Sequence, residues 1–307
     1  MIEIASSLVR ALQSGALYAL MAIGLTLTLA ILKIPNIAHA EYVTVGGYVS
    51  FYLINFAGFP LWQTVLPAFI FSGVVAVLSY LAVFRPLKTR KVSMFILMVA
   101  SFAVSLIIRY SIYTIVAAAN WGFGVKPKVV TNVVFRIAGI PITDILLMVL
   151  PITVMVTVTL YLFMIKTLQG KQMRAVADDP DLAVVSGINV DNVAVLTFFI
   201  SGGLAGLAGA FWVVFTHAHP DIGLEALIRI IAASALGGFI SYPGTLFGAF
   251  IVTLAENTVM DILNRNFGLS LALKPLMPMI ITIVILVLRP AGITGLFSRQ
   301  PRGRVAR

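Results

Sequence analysis

Polar residues are so sparse along this chain that the hydrophobic pattern alone divides it. Nine apolar stretches, roughly 8–32, 36–55, 61–84, 92–118, 143–165, 191–215, 226–240, 244–263 and 272–289, follow one another with short polar breaks between them. A helix that crosses a bilayer needs about 20 consecutive, mostly apolar residues. Backbone within lipid must satisfy its own hydrogen bonds, which leaves helices or closed barrels, and runs without alternation exclude the barrel. The pattern therefore predicts an all-α polytopic membrane protein with about eight or nine transmembrane helices. Two stretches are irregular. The second is interrupted by Asn36, His39, Glu41 and Gly46-Gly47, and the seventh has only the length of a re-entrant half-helix. The first lacks a basic leader and an obvious cleavage site, so it reads as a retained span.

One polar break is far longer than a turn requires. Lys166–Val190, KTLQGKQMRAVADDPDLAVVSGINV, carries a helix start and a helix stop of its own. Asp179 suits an N-cap, Pro180 the first helical position, and Asp181 the first turn, where the helix dipole favours negative charge. Gly187 suits the left-handed residue that ends a helix. A helix of about two turns is expected over Pro180–Ser186, with Leu182, Val184 and Val185 available to pack and Asp191 capping the next span. An amphipathic helix lying on lipid is the plainer reading. The Asp178-Asp179-Asp181 cluster opposes it, because an anionic leaflet would repel those carboxylates. A capped helix joined at both ends to spans suits a docking element for a soluble protein.

Composition narrows the class further. Hydrophobic residues make up 60% of the chain and charged residues 10%, against about 25% charged in soluble domains; mean hydropathy is +1.06. The net charge of +10 would suggest nucleic acid in a soluble protein, but in a membrane protein basic residues hold cytoplasmic loops in place. Arg85, Lys88, Arg90 and Lys91 crowd one loop, Lys166, Lys171 and Arg174 open the long polar break, and Arg299, Arg302, Arg304 and Arg307 decorate the tail. The number of intervening spans lets all three lie in the cytoplasm, with the N-terminus external. Lys126, Lys128 and Arg136 fall on the opposite side. The absence of cysteine removes disulfides and thiolate metal sites.

Catalytic patterns are absent from the sequence. Gly170-Lys171 lacks both the earlier glycine and the following Ser/Thr of a phosphate-binding loop. Ser201-Gly202-Gly203 lies inside an apolar span and reads as packing. The pairs Gly202/Gly206, Ala205/Gly209 and Gly244/Gly248 place small faces at one-turn spacing, for contacts within the chain or with a second membrane subunit.

Polar groups within spans should face protein or a water-filled cavity. Asn36, His39 and Glu41 mark the broken second stretch, where they either line a translocation path or cap the break locally, with Glu41 paired to Lys33. Arg229 has Glu225 four residues earlier as an ion-pair partner, and Glu256 is expected to pair with Arg109 or with a partner subunit. His39 has no second His or Cys nearby, so no metal site is expected. His217, His219 and Asp221 suit a surface loop or a contact with an external protein.

These blocks carry a resemblance. MRAVADDPDLAVVSGINV is similar to the cytoplasmic coupling segment of LivH-type permeases of branched-chain amino acid ABC importers. SGALYALMAIGLTLTLAILKIPNIAHAEYVTVGGY resembles the opening spans of that family, including its pattern at Asn36, Ala38, His39 and Glu41. ALGGFISYPGTLFGAFIVTLAEN and VLRPAGITGLF resemble its later blocks. Ala40 departs from the usual glycine, and 119–141 matches nothing recognised.

The resemblance implies one transmembrane permease domain over 1–307 in a bacterial-type cytoplasmic (inner) membrane. Its coupling segment would be 166–190 and its basic cytoplasmic tail 290–307. It further implies a second related permease, two ABC ATPase subunits that hydrolyse ATP, and an extracytoplasmic binding protein. No cofactor or nucleic acid would bind this chain. Coupling would rest on Arg174, Asp178, Asp179, Asp181, Leu182 and Gly187. Branched-chain amino acids are the expected cargo, with urea, short amides and aromatic acids as alternatives within the class. Two readings from other classes stand beside it. One is an ion-coupled secondary transporter using Glu256, Arg109 and His39 as a relay; the other is a non-transporting membrane scaffold.

Overall fold

The computed structural model describes residues 2–129, 132–137, 139–288 and 292. Apart from residue 292, the basic tail 290–307 therefore lies outside the described residues. Six helices are long and apolar enough to cross a membrane. These are α1 (Ile2–Leu32), α3 (Leu61–Thr89), α4 (Met94–Ala118), α5 (Asp144–Lys166), α8 (Val190–Phe215) and α10 (Tyr242–Phe267). Three apolar helices are shorter: α2 (His39–Asn55), α9 (Ile222–Leu236) and α11 (Leu276–Leu288). The short α6 (Leu168–Asp178) and α7 (Pro180–Val185) occupy the long polar break.

The helices begin where the sequence supplies caps. Ser93, Thr143 and Ser241 each accept a backbone N–H at the start of α4, α5 and α10, satisfying donors that have no partner inside the helix. Several boundaries differ from the hydropathy reading. The second stretch turns helical only at His39, because the chain leaves α1 through Lys33 (φ +56°) and meets Pro35. The seventh occupies 222–236 rather than 226–240, ending where Gly238 and Phe239 take positive φ. At 1.5 Å rise per residue, α2 and α9 span about 25 and 22 Å, short of a hydrocarbon core of about 30 Å. A feature outside the all-α expectation begins in the unrecognised 119–141 region and runs just past it: β1 (Val133–Ile137) and β2 (Ile140–Thr143) form an antiparallel hairpin.

Two helices form the centre. The apolar windows of α1 and α8 are 89% and 78% buried, against 33% in the other four long helices. A mainly apolar helix that is buried on nearly all sides belongs in the middle of a bundle. Around it, α3 turns Trp62, Leu66, Phe71 and Leu78 outward, and α5 turns out Val154, Met155 and Val158, as lipid-facing surfaces do. Close approach at the centre depends on glycine. A Cβ on Gly206 would overlap Ser72 of α3, and one on Gly46 would overlap the Gly206 backbone. The Gly202/Gly206 face thus packs within this chain.

The bundle has two chemically different ends. One carries the 85–91 turn and α6–α7, and is called here the basic end. The other carries the hairpin, to which the start of α1 is tied by Thr143 Oγ1 donating to Gln13 Oε1 at 3.3 Å.

Candidate functional site

At the basic end, the capping chemistry read from the sequence is present in detail. The Asp179 carboxylate accepts the N–H groups of Asp181 (2.9 Å) and Leu182 (3.0 Å). At the other end of α7, Ile188 N donates to Ala183 O and Gly187 N to Val184 O, both at 3.0 Å, with Gly187 at φ +82°. That pair of bonds is the Schellman arrangement, which stops a helix and leaves its last carbonyls satisfied. α7 ends at Val185, with Ser186 as its C-cap.

Thr167 caps α6, whose Gly170, Met173 and Val176 are buried against the bundle. Arg174, Asp178, Asp179, Asp181, Leu182 and Gly187 are all exposed at this end. So is an apolar tip: Leu182 is 63% exposed, Val184 59% and Val185 84%. The expected cap of α8 is different. Asn189 accepts from Asn192 N there, while Asp191 takes Tyr80 Oη at 3.0 Å and Arg85 Nε and Nη2 at 3.2 and 3.0 Å. The carboxylate is drawn to the guanidinium of α3, and the neutral amide two residues earlier serves the helix.

Inside the bundle, the break before α2 is held by hydroxyls from other helices. Ser101 of α4 donates to Pro35 O (3.1 Å) and accepts from Ile37 N (3.1 Å). His39 is fully buried, with Nε2 at 2.8 Å from Met21 O and Nδ1 at 3.1 Å from Ser201 Oγ, so both ring nitrogens are engaged between α1 and α8. Asn36 does not cap the helix. The N-cap position is Ala38 without a side-chain bond, and the buried Asn36 amide sits beside Tyr42 without a well-formed hydrogen bond.

Glu41 does not reach Lys33, which is exposed. Its carboxylate instead takes Arg109 Nε at 3.1 Å, Ser105 Oγ at 2.9 Å and Thr44 Oγ1 at 3.3 Å, and Arg109 Nη2 closes the ion pair. Arg109 Nε also lies 3.8 Å from Asp221, which accepts Tyr113 Oη at 2.5 Å and pairs with His219 at 3.4 Å. The loop histidine and aspartate are thus joined to the broken helix.

The second intramembrane pair is also redistributed. Arg229 bonds Glu256 (Nε to Oε1, 2.9 Å), and takes from Glu225 the backbone carbonyl (2.7 Å) rather than an i,i+4 side-chain pair. Tyr18 Oη donates to Glu256 Oε2 at 3.2 Å. Glu256 lies on a π-helical segment, Ala255–Val259, within α10. The expectation that Glu256 pairs with Arg109 is thereby corrected, since each carboxylate has its own arginine. Ser101, Ser105, Ser201 and Tyr18 had no sequence signal beyond being polar within apolar runs. Among the described residues no group of three potential metal-ligating side chains forms.

The model of the family described as branched-chain amino acid transport system, permease component, matches residues 7–288. The probable branched-chain amino acid transport permease LivH of Methanocaldococcus jannaschii is 32% identical over 282 residues, covering 91% of this chain and 89% of that protein. The high-affinity branched-chain amino acid transport permease BraD of Pseudomonas aeruginosa is 27% identical over 300 residues, 94% of each. LivH of Escherichia coli is 27% identical, with 92% of each covered. No solved structure matches.

Proposed function

This chain belongs to the family of branched-chain amino acid transport permeases, and we propose that it is one transmembrane subunit of a binding-protein-dependent ABC importer for branched-chain amino acids. In this reading the basic end is cytoplasmic, as the clustered lysines and arginines of the 85–91 turn and α6 favour. α2 and α9, short and largely buried in protein, and the more exposed α11 then complete the crossing alongside the six long helices. Of two ABC ATPase subunits on that side, one docks on α6–α7, a second related permease completes the pathway, and an extracytoplasmic binding protein delivers cargo at the hairpin end. ATP is hydrolysed by the partners.

The observation that carries the reading is the α7 tip. A helix locked by a carboxylate cap and a Schellman stop presents Leu182, Val184 and Val185 to the outside of the bundle. Apolar side chains so exposed on a polar segment are what a helix-in-groove contact uses. Arg174 and the three aspartates flank that contact and set its polarity. An ion-coupled carrier acting alone would instead need a free titrating relay. Here Glu256 is already committed to Arg229, Arg109 to Glu41, and both ring nitrogens of His39 to Met21 O and Ser201.

Val185→Asp tests the docking. The permease should still insert and bind its membrane partner, while co-purification of the ATPase subunits and transport-coupled ATP hydrolysis are lost. Retention of both in the variant would remove α7 as the docking element.

A further inference from the structure

α9 is open to the outside over only half of its length. From Ala232 to Leu236 every residue is buried, whereas the half nearer the hairpin end turns Leu224 (40% exposed), Glu225 and Ile228 (41%) outward on one helix face. The depth of that stripe is fixed by Arg229, one turn further in. Its guanidinium meets Glu256 at 2.9 Å and lies over the Tyr18 ring at 5.9 Å, and Tyr18 and Glu256 stand near the midpoints of α1 and α10. At 1.5 Å rise per residue, Glu225 lies about 6 Å outward of Arg229. That is well inside a hydrocarbon core of about 30 Å.

Glu225 is out of place on such a surface. Its backbone carbonyl takes Arg229 Nη1 at 2.7 Å, and Arg229 feels its charge, but among the described residues its carboxylate has no hydrogen bond and no ion pair. A carboxylate at that depth is expensive in lipid, so it faces protein or water. Outward faces that meet lipid are different here: α4 and α5 expose no charged side chain between their terminal turns, and residues 61–84 of α3 include none. Water alone does not account for Leu224 and Ile228 beside the carboxylate. One charge framed by apolar side chains suits a contact between proteins, where a charge pair is desolvated within apolar surroundings.

We propose that the outer half of α9 is where the second permease packs, and that this partner brings a cation to Glu225. The proposal rests on the importer reading above and extends it by assigning the contact face. The cations of this chain within the bundle do not serve, because Arg229 is held by Glu256 and Arg109 by Glu41. Two copies of this chain meeting through the same stripe across a two-fold axis would bring their Glu225 carboxylates together. The partner is therefore a different chain. A stable contact takes about 800 Å² from each side, more than half a helix offers. α11 adds apolar surface beside the stripe: it packs against α9 and buries only Pro278 of its own residues, leaving Met279, Ile280 and Ile283 exposed.

Photo-crosslinking in the purified complete transporter tests the assignment. The photoreactive residue benzoylphenylalanine is placed at Leu224, at Ile228 and, on the outward face of α5, at Met155 (62% exposed). Adducts formed on illumination are identified by mass. Leu224 and Ile228 should join this chain to peptides of the second permease, and Met155 should join it to lipid. Glu225→Lys sets like charges against each other and should cut the second permease recovered with this chain by roughly tenfold or more, with Glu225→Gln reducing it less. If Glu225→Lys does not insert, the crosslinks, made with Glu225 in place, decide. Adducts from Leu224 and Ile228 to lipid, to the binding protein or to another copy of this chain would overturn the proposal. So would no adduct at either position, the result for a face turned to water, or full recovery of the second permease with an inserted Glu225→Lys. A purified transporter that contains no second permease would instead remove the importer reading, and the contact face with it.

Discussion

Glu41 has no exposed surface, and Arg109 is its counter-ion across the gap between α2 and α4. Two hydroxyls, Ser105 and Thr44, complete the carboxylate's shell. Removing one partner of such a pair leaves an uncompensated buried charge, at a cost of about 3–5 kcal/mol, whereas replacing both by neutral groups is often tolerated. Arg109→Met should therefore lower the unfolding stability of the purified permease by about that amount, and adding Glu41→Gln should recover most of it. Thermal unfolding in detergent of both single variants and the double variant checks this; a double variant no better than Arg109→Met would contradict it. The sequence shows that Glu41 and Arg109 sit within apolar runs, and that each needs a partner. It does not show that they need each other, because they lie 68 residues apart. The nearer charges, Lys33 for Glu41 and Glu225 for Arg229, were the local choices. Tertiary packing overrode both.

Helix ends follow a different rule, because a cap is a local interaction. Asp179, Pro180 and Gly187 declare α7 from within nine residues, and the structure gives it those boundaries to within one residue. Asp179→Ala removes the acceptor for two backbone N–H groups, at a cost of about 0.5–2 kcal/mol to that helix. Hydrogen exchange at the Asp181 and Leu182 amides should accelerate while the buried amides of α8 keep their protection. Unchanged exchange at those two amides would mean the cap is not what orders α7. The same local logic misplaced the role of Asp191. An aspartate in the first turn of a helix is a reasonable cap until an arginine from another element competes for it, and Arg85 does. The broken second stretch was legible as broken, from the polar cluster at Asn36, His39 and Glu41. Its repair was not, since Ser101, Ser201 and Met21 O come from helices elsewhere in the chain.

At the scale of the whole molecule, the hydropathy pattern marks where apolar helices fall, six of them long enough to cross a membrane, but not the order in which they pack. That α1 and α8 are central follows only from their burial. With them central, α3, α4, α5 and α10 keep most of their surface free for lipid or for another protein. The two ends then differ in kind. The basic end presents a capped helix with an exposed apolar tip, and the hairpin end presents a cleft lined by charges of both signs. In the importer reading the apolar tip at the basic end receives force from a partner, and the sequence carries no phosphate-binding motif of its own. The central claim is that movement of cargo through this chain is driven by ATP hydrolysed on its partners. The most direct measurement is leucine uptake into vesicles containing the purified chain, alone and with its permease, ATPase and binding-protein partners, with and without ATP. Uptake should appear only in the complete complex with ATP, and should vanish when the ATPase partners bind ATP but cannot hydrolyse it. Leucine uptake by this chain alone, driven by an imposed ion gradient, would contradict the account.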